Sequence, residues 1–260
     1  MIFNAPLDLS AARILLVNDD GIRAPGLKSL ERIAQKLSDD VWIVAPETEQ
    51  SGAGHSLTLN RPLRLRKLSK KRYALDGSPT DCVMFALGEV MKGKTPDIVF
   101  TGVNRGMNVG EDVTYSGTVS AAMEATLLGV PAIAFSLEVA ADHPAKWATA
   151  EHFVPGVIRD LTQNAWPEDV FMNVNIPNLT ATSVKGVRAV NQGRLEAENS
   201  IIKLTDPRGN WYYWIGPSER RKVRRNSDYD AIANGFIAVT PLHVDLTHQG
   251  MLRTLKKALS

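Results

Sequence analysis

Cysteine is nearly absent. Cys82 stands alone among 260 residues, so the chain has no internal disulfide framework and no zinc site built on paired thiolates. Its setting, the apolar helix-like run DCVMFAL, reads as a small buried hydrophobe rather than a nucleophile. No apolar run approaches the roughly 20 residues of a membrane span. The start, MIFNAPLDLSAA, has neither a basic flank nor a long apolar stretch and reads as a short N-terminal extension. With no leader and no disulfides, the expected location is the cytoplasm. An excess of charge is also missing. The formal net charge is +2, which gives no global argument for a nucleic-acid or membrane partner. Three phosphate and metal signatures are absent as well: H-E-x-x-H, G-x-x-x-x-G-K-[ST], and the third glycine that would make GAGHS a dinucleotide fingerprint.

What is present suits a soluble α/β domain. The chain is 44% apolar and 22% charged, ample for a core without staples. RILLVN, VWIVAP, DIVFTGVN and VPAIAFS are strand-like apolar runs. Between them lie helical patterns in GLKSLERIAQKLS, PTDCVMFALGEVM and SGTVSAAMEATLLG, and a further helix runs from Lys146 to about residue 164. Near-continuous apolar strands alternating with helices predict a mostly parallel, Rossmann-like sheet covered on both faces. SLTLNRPLRLRKL and RYALDG read as extended segments at an edge or in a lateral extension, because Pro62 and the arginines disfavour a central place. After VFMNVNIP the character changes. GVRAVNQ, NSIIKLTD, NWYYWIG and FIAVTPL are short strands or hairpins with turns at DPRGN and NG. The expected division is an extension over 1–12, a core over 13–185 and a hairpin-rich region over 186–260, whose final strand and helix either return to the core or exchange between subunits. Ser218–Arg225, SERRKVRR, is the one marked basic run. A solvated loop explains it, and so does an anion-attracting patch.

In an open parallel sheet, ligands bind outside the carboxyl ends of the strands. Three oxygen-rich, glycine-containing loops follow predicted strands. The first holds Asn18-Asp19-Asp20-Gly21. The second, ETEQSGAGHS, holds Ser51, His55 and Ser56. The third, NRGMNVGEDVTYSGT, holds Asn104, Asn108, Asp112, Ser116 and Thr118. Adjacent carboxylates at the end of a buried run need a cation. Carboxylate, amide carbonyl and hydroxyl are hard ligands that suit Mg²⁺, Mn²⁺ or Ca²⁺. An Asp19 that merely caps the next segment beside an exposed Asp20 is the simpler alternative. Ser116 and Thr118 open a predicted helix whose free N–H groups suit an anion, though a plain N-cap accounts for Ser116 equally well. A divalent cation beside such an anion pocket is equipment for phosphoryl transfer to water.

The motifs NDDG, APETEQSGAGHSLT, GSPTDCV, TGVNRGMNVGEDVTYSGTVSAAMEATLLGVPAIAFS and GFIAVTPLHVDLT, in this order, resemble the SurE family of stationary-phase survival nucleotidases. The resemblance runs from Arg13 to the C-terminus. It implies a Rossmann-like core with a C-terminal hairpin and oligomerisation region, forming homodimers or homotetramers. It implies metal-dependent hydrolysis of nucleoside 5'- and 3'-monophosphates to nucleoside and phosphate, with short polyphosphate as a further substrate. The implied ligands of one Mg²⁺ or Mn²⁺ per subunit are Asp19, Asp20, Ser51 and Asn104. The implied phosphate contacts are Asn108, Ser116, Gly117 and Thr118. Glu47, Thr101 and Ala125 stand where the family often has Asp, Ser and Gly, and none is an implied ligand.

The group that activates water stays open. Asp19 or Asp20 serves as base, or the metal suffices; His55 and His243 qualify by residue type alone. A non-catalytic nucleotide-binding module on the same fold is the alternative function, which the intact set of metal-type oxygens disfavours. An aspartyl-phosphate mechanism wants Asp-x-Asp, and here Gly21 follows two positions after Asp19.

Overall fold

A computed structural model describes residues 5–140, 143–194, 197–198, 201–215, 219–220 and 224–259. In chain order the elements are β1 (Arg13–Val17), α1 (Pro25–Gln35), β2 (Asp40–Pro46), β3 (Leu65–Ser69), β4 (Arg72–Leu75), α2 (Pro79–Phe85), β5 (Ile98–Arg105), α3 (Gly117–Leu127), β6 (Ala132–Leu137), α4 (Trp147–Thr162), β7 (Val170–Ile176), β8 (Val187–Ala189), β9 (Ala197–Glu198), β10 (Ile201–Thr205), β11 (Trp211–Ile215), β12 (Glu219–Arg220), α5 (Asp228–Ala233), β13 (Ile237–His243) and α6 (Gln249–Ala258).

Nine strands form one sheet in the order β3-β4-β2-β1-β5-β6-β7-β13-β8. From β4 to β7 every neighbouring pair is parallel. The chain steps outward from β1 to β2, then returns past β1 to β5, so strand order reverses at the β1–β5 boundary. Both faces of β1 are buried. Ile14 and Leu16 join one apolar cluster, Leu15 and Val17 the other, because alternate side chains of a strand point to opposite faces. The first cluster takes Leu27, Leu30 and Ile33 of α1 with Val154 and Ile158 of α4. Phe100 and Phe135 meet within it edge to face, ring centroids 5.8 Å apart. The second takes Val83 of α2 and the alanines 121, 122 and 125 of α3, whose small side chains let the helix lie close on the sheet.

Local chemistry sets the helix starts. Pro25 opens α1. At α2 the Ser78 side chain accepts from the Asp81 N–H, and Asp81 accepts from the Ser78 N–H, a reciprocal cap. Asp81 Oδ1 also accepts the Thr58 N–H at 3.0 Å, tying the second loop to this helix.

Three details depart from the expected pattern. RYALDG supplies β4, which lies inside the sheet between β2 and β3; of these two segments, β3 alone forms an edge strand. The parallel pairing of Ala74 and Leu75 with Ala45 and Pro46 buries its apolar end. Helix α2 ends at Phe85, and a π-helical turn carries the chain to Val90. GVRAVNQ contributes β8 to the main sheet rather than to a hairpin, pairing parallel with β13 of FIAVTPL, which itself pairs antiparallel with β7. The hairpins that leave the sheet are β10–β11 and β9–β12, which together make a two-stranded arm. Half of SERRKVRR, Ser218 and residues 221–223, lies outside the described residues. No helix among the described residues is long and apolar enough to cross a membrane.

Candidate active site

The end of β1 is shaped by its own amide. Asn18 donates Nδ2–H to the Gly21 carbonyl at 3.0 Å. Gly21 has φ +99°, a left-handed conformation, and the carbonyl of Asp19 accepts the Gln50 N–H at 2.8 Å. The first two loops are thereby joined at the strand-order reversal.

Asp19 is 4% exposed. Its two oxygens accept from one residue at the start of α3: Thr118 Oγ1–H at 2.6 Å and Thr118 N–H at 3.1 Å. The helix start thus faces a carboxylate. Gly117 permits that approach, since a Cβ there would lie 2.9 Å from both Asp19 Cβ and Pro79 Cγ. Asp20 is half-buried and accepts the Arg105 N–H on Oδ2 at 3.1 Å. Burial raises the Asp19 pKa despite the Thr118 hydrogen bonds. Burial first, and then the charge of Asp19, raise Asp20 from 3.8 to about 6. Among the described residues, neither carboxylate forms an ion pair with a lysine, arginine or histidine.

The third loop comes from an irregularity in β5. Pairing with β6 shifts between Thr101 and Asn104, and Gly102 takes φ +116°. Asn104 donates Nδ2–H to the Gly106 carbonyl at 2.9 Å, and its Oδ1 has no hydrogen bond among the described residues. Asn108 is held on three sides. Its N–H goes to Asn175 Oδ1 at 2.8 Å, its Nδ2–H to Ser136 Oγ at 2.7 Å. Its carbonyl accepts from Asn173 and Asn175 at 2.8 and 3.0 Å. Ser116 caps α3, its Oγ accepting the Val119 N–H at 3.1 Å.

Asp19, Ser51, Asn104, Asn108 and Ser116 line one cleft of about 220 Å³, together with Arg105, Asp112 and Tyr115. Asp20 adjoins Asp19 beside this wall. Gly117 and Thr118 stand behind Asp19, with the Thr118 hydroxyl and amide both turned to that carboxylate. Ser51 is exposed and donates to Glu49 Oε1 at 2.7 Å, which brings a third carboxylate near the pair. Arg105 is the single cationic side chain among the lining residues. His55 and His243 lie elsewhere. They bond to Glu124 and Asp169 at 2.7 and 2.9 Å and line a different cavity of about 540 Å³, walled by Val119, Met123 and Phe171.

The donor set fits a hard divalent cation. Two adjacent desolvated carboxylates form no ion pair among the described residues, with Arg105 only a nearby opposite charge on Asp20, and amide and hydroxyl oxygens share the cleft. No group of three or more His, Cys, Asp or Glu side chains among the described residues could hold a metal alone, so any cation here draws on Asn and Ser oxygens. Sequence reasoning passed over Asn173, Asn175 and Ser136, which hold the Asn108 loop, and over Asp228, which accepts the Gly110 N–H at 2.9 Å. A signal existed for the first two: amides at alternate positions of the apolar strand FMNVNI point to one face.

The family model described as "Survival protein SurE" matches residues 14–199. A "5'-nucleotidase SurE" of Paramagnetospirillum magneticum is 53% identical over 99% of this chain and 100% of its own length. The "5'-nucleotidase SurE" of Caulobacter vibrioides is 51% identical over 95% of this chain and 96% of its own. The crystal structure of the SurE protein from Aquifex aeolicus superposes with a TM-score of 0.84 at 39% identity, covering 95% of this chain and all of that one.

Proposed function

The chain belongs to the survival protein SurE family, and from that membership we propose that it hydrolyses nucleoside 5'- and 3'-monophosphates to nucleoside and phosphate in a metal-dependent reaction. Short polyphosphate is the further substrate. The observation that carries the reading is the pair of desolvated carboxylates, Asp19 and Asp20, which form no ion pair among the described residues at the strand-order reversal.

Asp19, Asp20, Asn104 and Ser51 are the residues that would hold one Mg²⁺ or Mn²⁺. When bound, the cation supplies Lewis acidity at the phosphoryl oxygens and offsets the charge that develops there. The remaining work belongs to the chain's own groups. Thr118 fixes Asp19 through both carboxylate oxygens, so the ligand keeps its orientation. Ser116 uses Oγ as an acceptor within α3, which leaves its O–H to donate to a phosphoryl oxygen. Gly117 and Asn108 complete that wall, Asn108 by fixing the loop path. Arg105 brings the only positive charge of the lining to the phosphoryl group. Asp20 Oδ1 accepts no hydrogen bond among the described residues, whereas both Asp19 oxygens do. Asp20 Oδ1 therefore takes the proton of the attacking water, while the Arg105 N–H on Oδ2 holds that carboxylate in place.

Both faces of the arm expose apolar side chains, Ile201, Trp211 and Ile215 on one and Ile202 and Trp214 on the other, which supports a homodimer or homotetramer. The catalytic core is assigned to 13–185, and 186–260 to the arm and the segments that return from it. The assigned location is the cytoplasm. A non-catalytic binding module is disfavoured by the complete carboxylate, amide and hydroxyl set.

The test is phosphate release from a panel of nucleoside monophosphates and short polyphosphate, with chelator and with Mg²⁺ or Mn²⁺ restored. The expected result is turnover that chelator abolishes and metal restores. Full activity in chelator, or none on any nucleotide, refutes the reading.

A further inference from the structure

The arm leaves and re-enters the body beside the cleft. Its outgoing end carries Asn191, Gln192 and Gly193, and its returning end Asn226, Ser227 and Asp228. The two ends are laced together. Asn191 and Ser227 form a parallel bridge. The Asn191 N–H donates to the Asn226 carbonyl at 3.2 Å, and the Asp228 N–H to the Asn191 carbonyl at 2.9 Å.

Both ends grip one residue of the third loop. Asp228 Oδ2 accepts the Gly110 N–H at 2.9 Å. Gln192 donates Nε2–H to the Gly110 carbonyl at 2.7 Å. The other Asp228 oxygen, Oδ1, accepts the Gly193 and Tyr229 N–H groups at 2.8 Å each. Asp228 is fully buried, and no lysine, arginine or histidine pairs with it among the described residues. A desolvated carboxylate is costly, and here its charge is met by three backbone donors. Gly110, at φ +55°, begins the 3₁₀ turn Gly110–Thr114. That turn carries Asp112 and leads through Tyr115 to Ser116, all of which line the cleft. The Asp112 carbonyl accepts the Ser116 N–H at 3.0 Å, so the turn and the capping serine are mechanically continuous. Asn108 is fixed separately by β6 and β7, and the Tyr115 carbonyl accepts the Gly54 N–H of the second loop at 3.0 Å; the contacts to Gly110 are the arm's own share of the anchoring.

We propose that Asp228 and Gln192 are positioning residues that clamp Gly110 and thereby set the Asp112–Ser116 wall of the cleft, making the root of the arm a regulatory element of the site. The inference rests on the nucleotidase reading for its kinetic consequence. The metal-holding residues Asp19, Asp20, Ser51 and Asn104 lie outside the clamped turn, which separates substrate positioning from metal binding.

The test uses full-length Asp228→Asn and Gln192→Met with metal present. Asn keeps the Oδ1 acceptor but sets an NH₂ against the Gly110 N–H. Met keeps the length of Gln192 and removes its donor. Displacement of a reacting group by about 1 Å costs on the order of 10²-fold in rate. The expected result in both folded variants is a roughly 10- to 100-fold loss in kcat/KM for a nucleoside 5'-monophosphate. Mn²⁺ affinity stays within about threefold of wild type, and amide hydrogen exchange over residues 110–116 is faster by about tenfold or more. Lowered stability with wild-type kcat, KM and exchange protection overturns the clamp. If Asp228→Asn fails to fold, the exposed Gln192→Met decides by the same criteria. If wild-type protein turns over no nucleotide, the nucleotidase reading falls, and exchange over 110–116 alone decides the clamp.

Discussion

Replacing Asp20 by asparagine separates what this site costs the fold from what it gives the chemistry. In the metal-free protein, burial and the neighbouring charge of Asp19 raise the Asp20 pKa from 3.8 to about 6. The folded state then binds this proton more tightly than the unfolded state. The carboxylate costs nothing below about pH 4, where both states are protonated, and its full penalty applies above the folded pKa. At about 1.4 kcal/mol per pKa unit the ceiling is about 3 kcal/mol. Asp20 is only half-buried, and solvent screening lowers the expected figure to about 1–3 kcal/mol. Asparagine retains an acceptor for the Arg105 N–H and carries no charge. Chelated Asp20→Asn is therefore expected to melt higher than chelated wild type by roughly 3–9 °C at pH 7.5, with the gap closing toward pH 4. Saturating metal reverses the order: at a hundredfold excess over Kd, binding stabilises wild type by about 2.7 kcal/mol, and the variant forfeits most of that. Phosphate release falls by at least about 10²-fold. Thermal melts of both proteins at several pH values, with chelator and with Mn²⁺, measure all of this. A chelated variant no more stable than wild type at pH 7.5 refutes the argument that burial, and then the charge of Asp19, makes the Asp20 carboxylate costly to the fold.

Two further outcomes follow from the same geometry. Thr118→Val removes the hydroxyl that Asp19 Oδ1 accepts at 2.6 Å while keeping shape and the backbone donor. It is expected to weaken Mn²⁺ binding about 10- to 100-fold, as loss of a partner behind a metal ligand does; calorimetry giving wild-type affinity contradicts the support role. His55→Gln breaks the pair with Glu124 at 2.7 Å outside the cleft, so kcat is expected to stay within about threefold of wild type. A loss of about 10³-fold with an unchanged fold would make His55 part of the chemistry.

Much of the molecule was legible as pattern. The two-sided apolar strands of Ile14–Val17 and Ile98–Phe100 announce a parallel sheet covered on both faces, because a strand buried on both sides has no polar alternation to show. The carboxylate pair after β1 and the oxygens after β5 were legible through a topological rule: parallel strands deliver their ends to one edge. The capped start of α3 was visible in SGT, but its partner was not. Thr118 turns to Asp19, 99 residues away in the chain, and nothing local in either segment says so. The same holds for the Asn173–Asn175 cradle under Asn108 and for the Asp228–Gly110 contact across 118 residues.

The residue types of the chain by themselves determined which elements form and which oxygens are available, since periodicity, capping and ligand hardness are local properties. Only the tertiary structure decided which of those oxygens are already occupied by protein donors, which carboxylates are desolvated, and that the arm grips the loop beside them. Those are properties of distance and solvent exclusion, which a linear sequence does not carry.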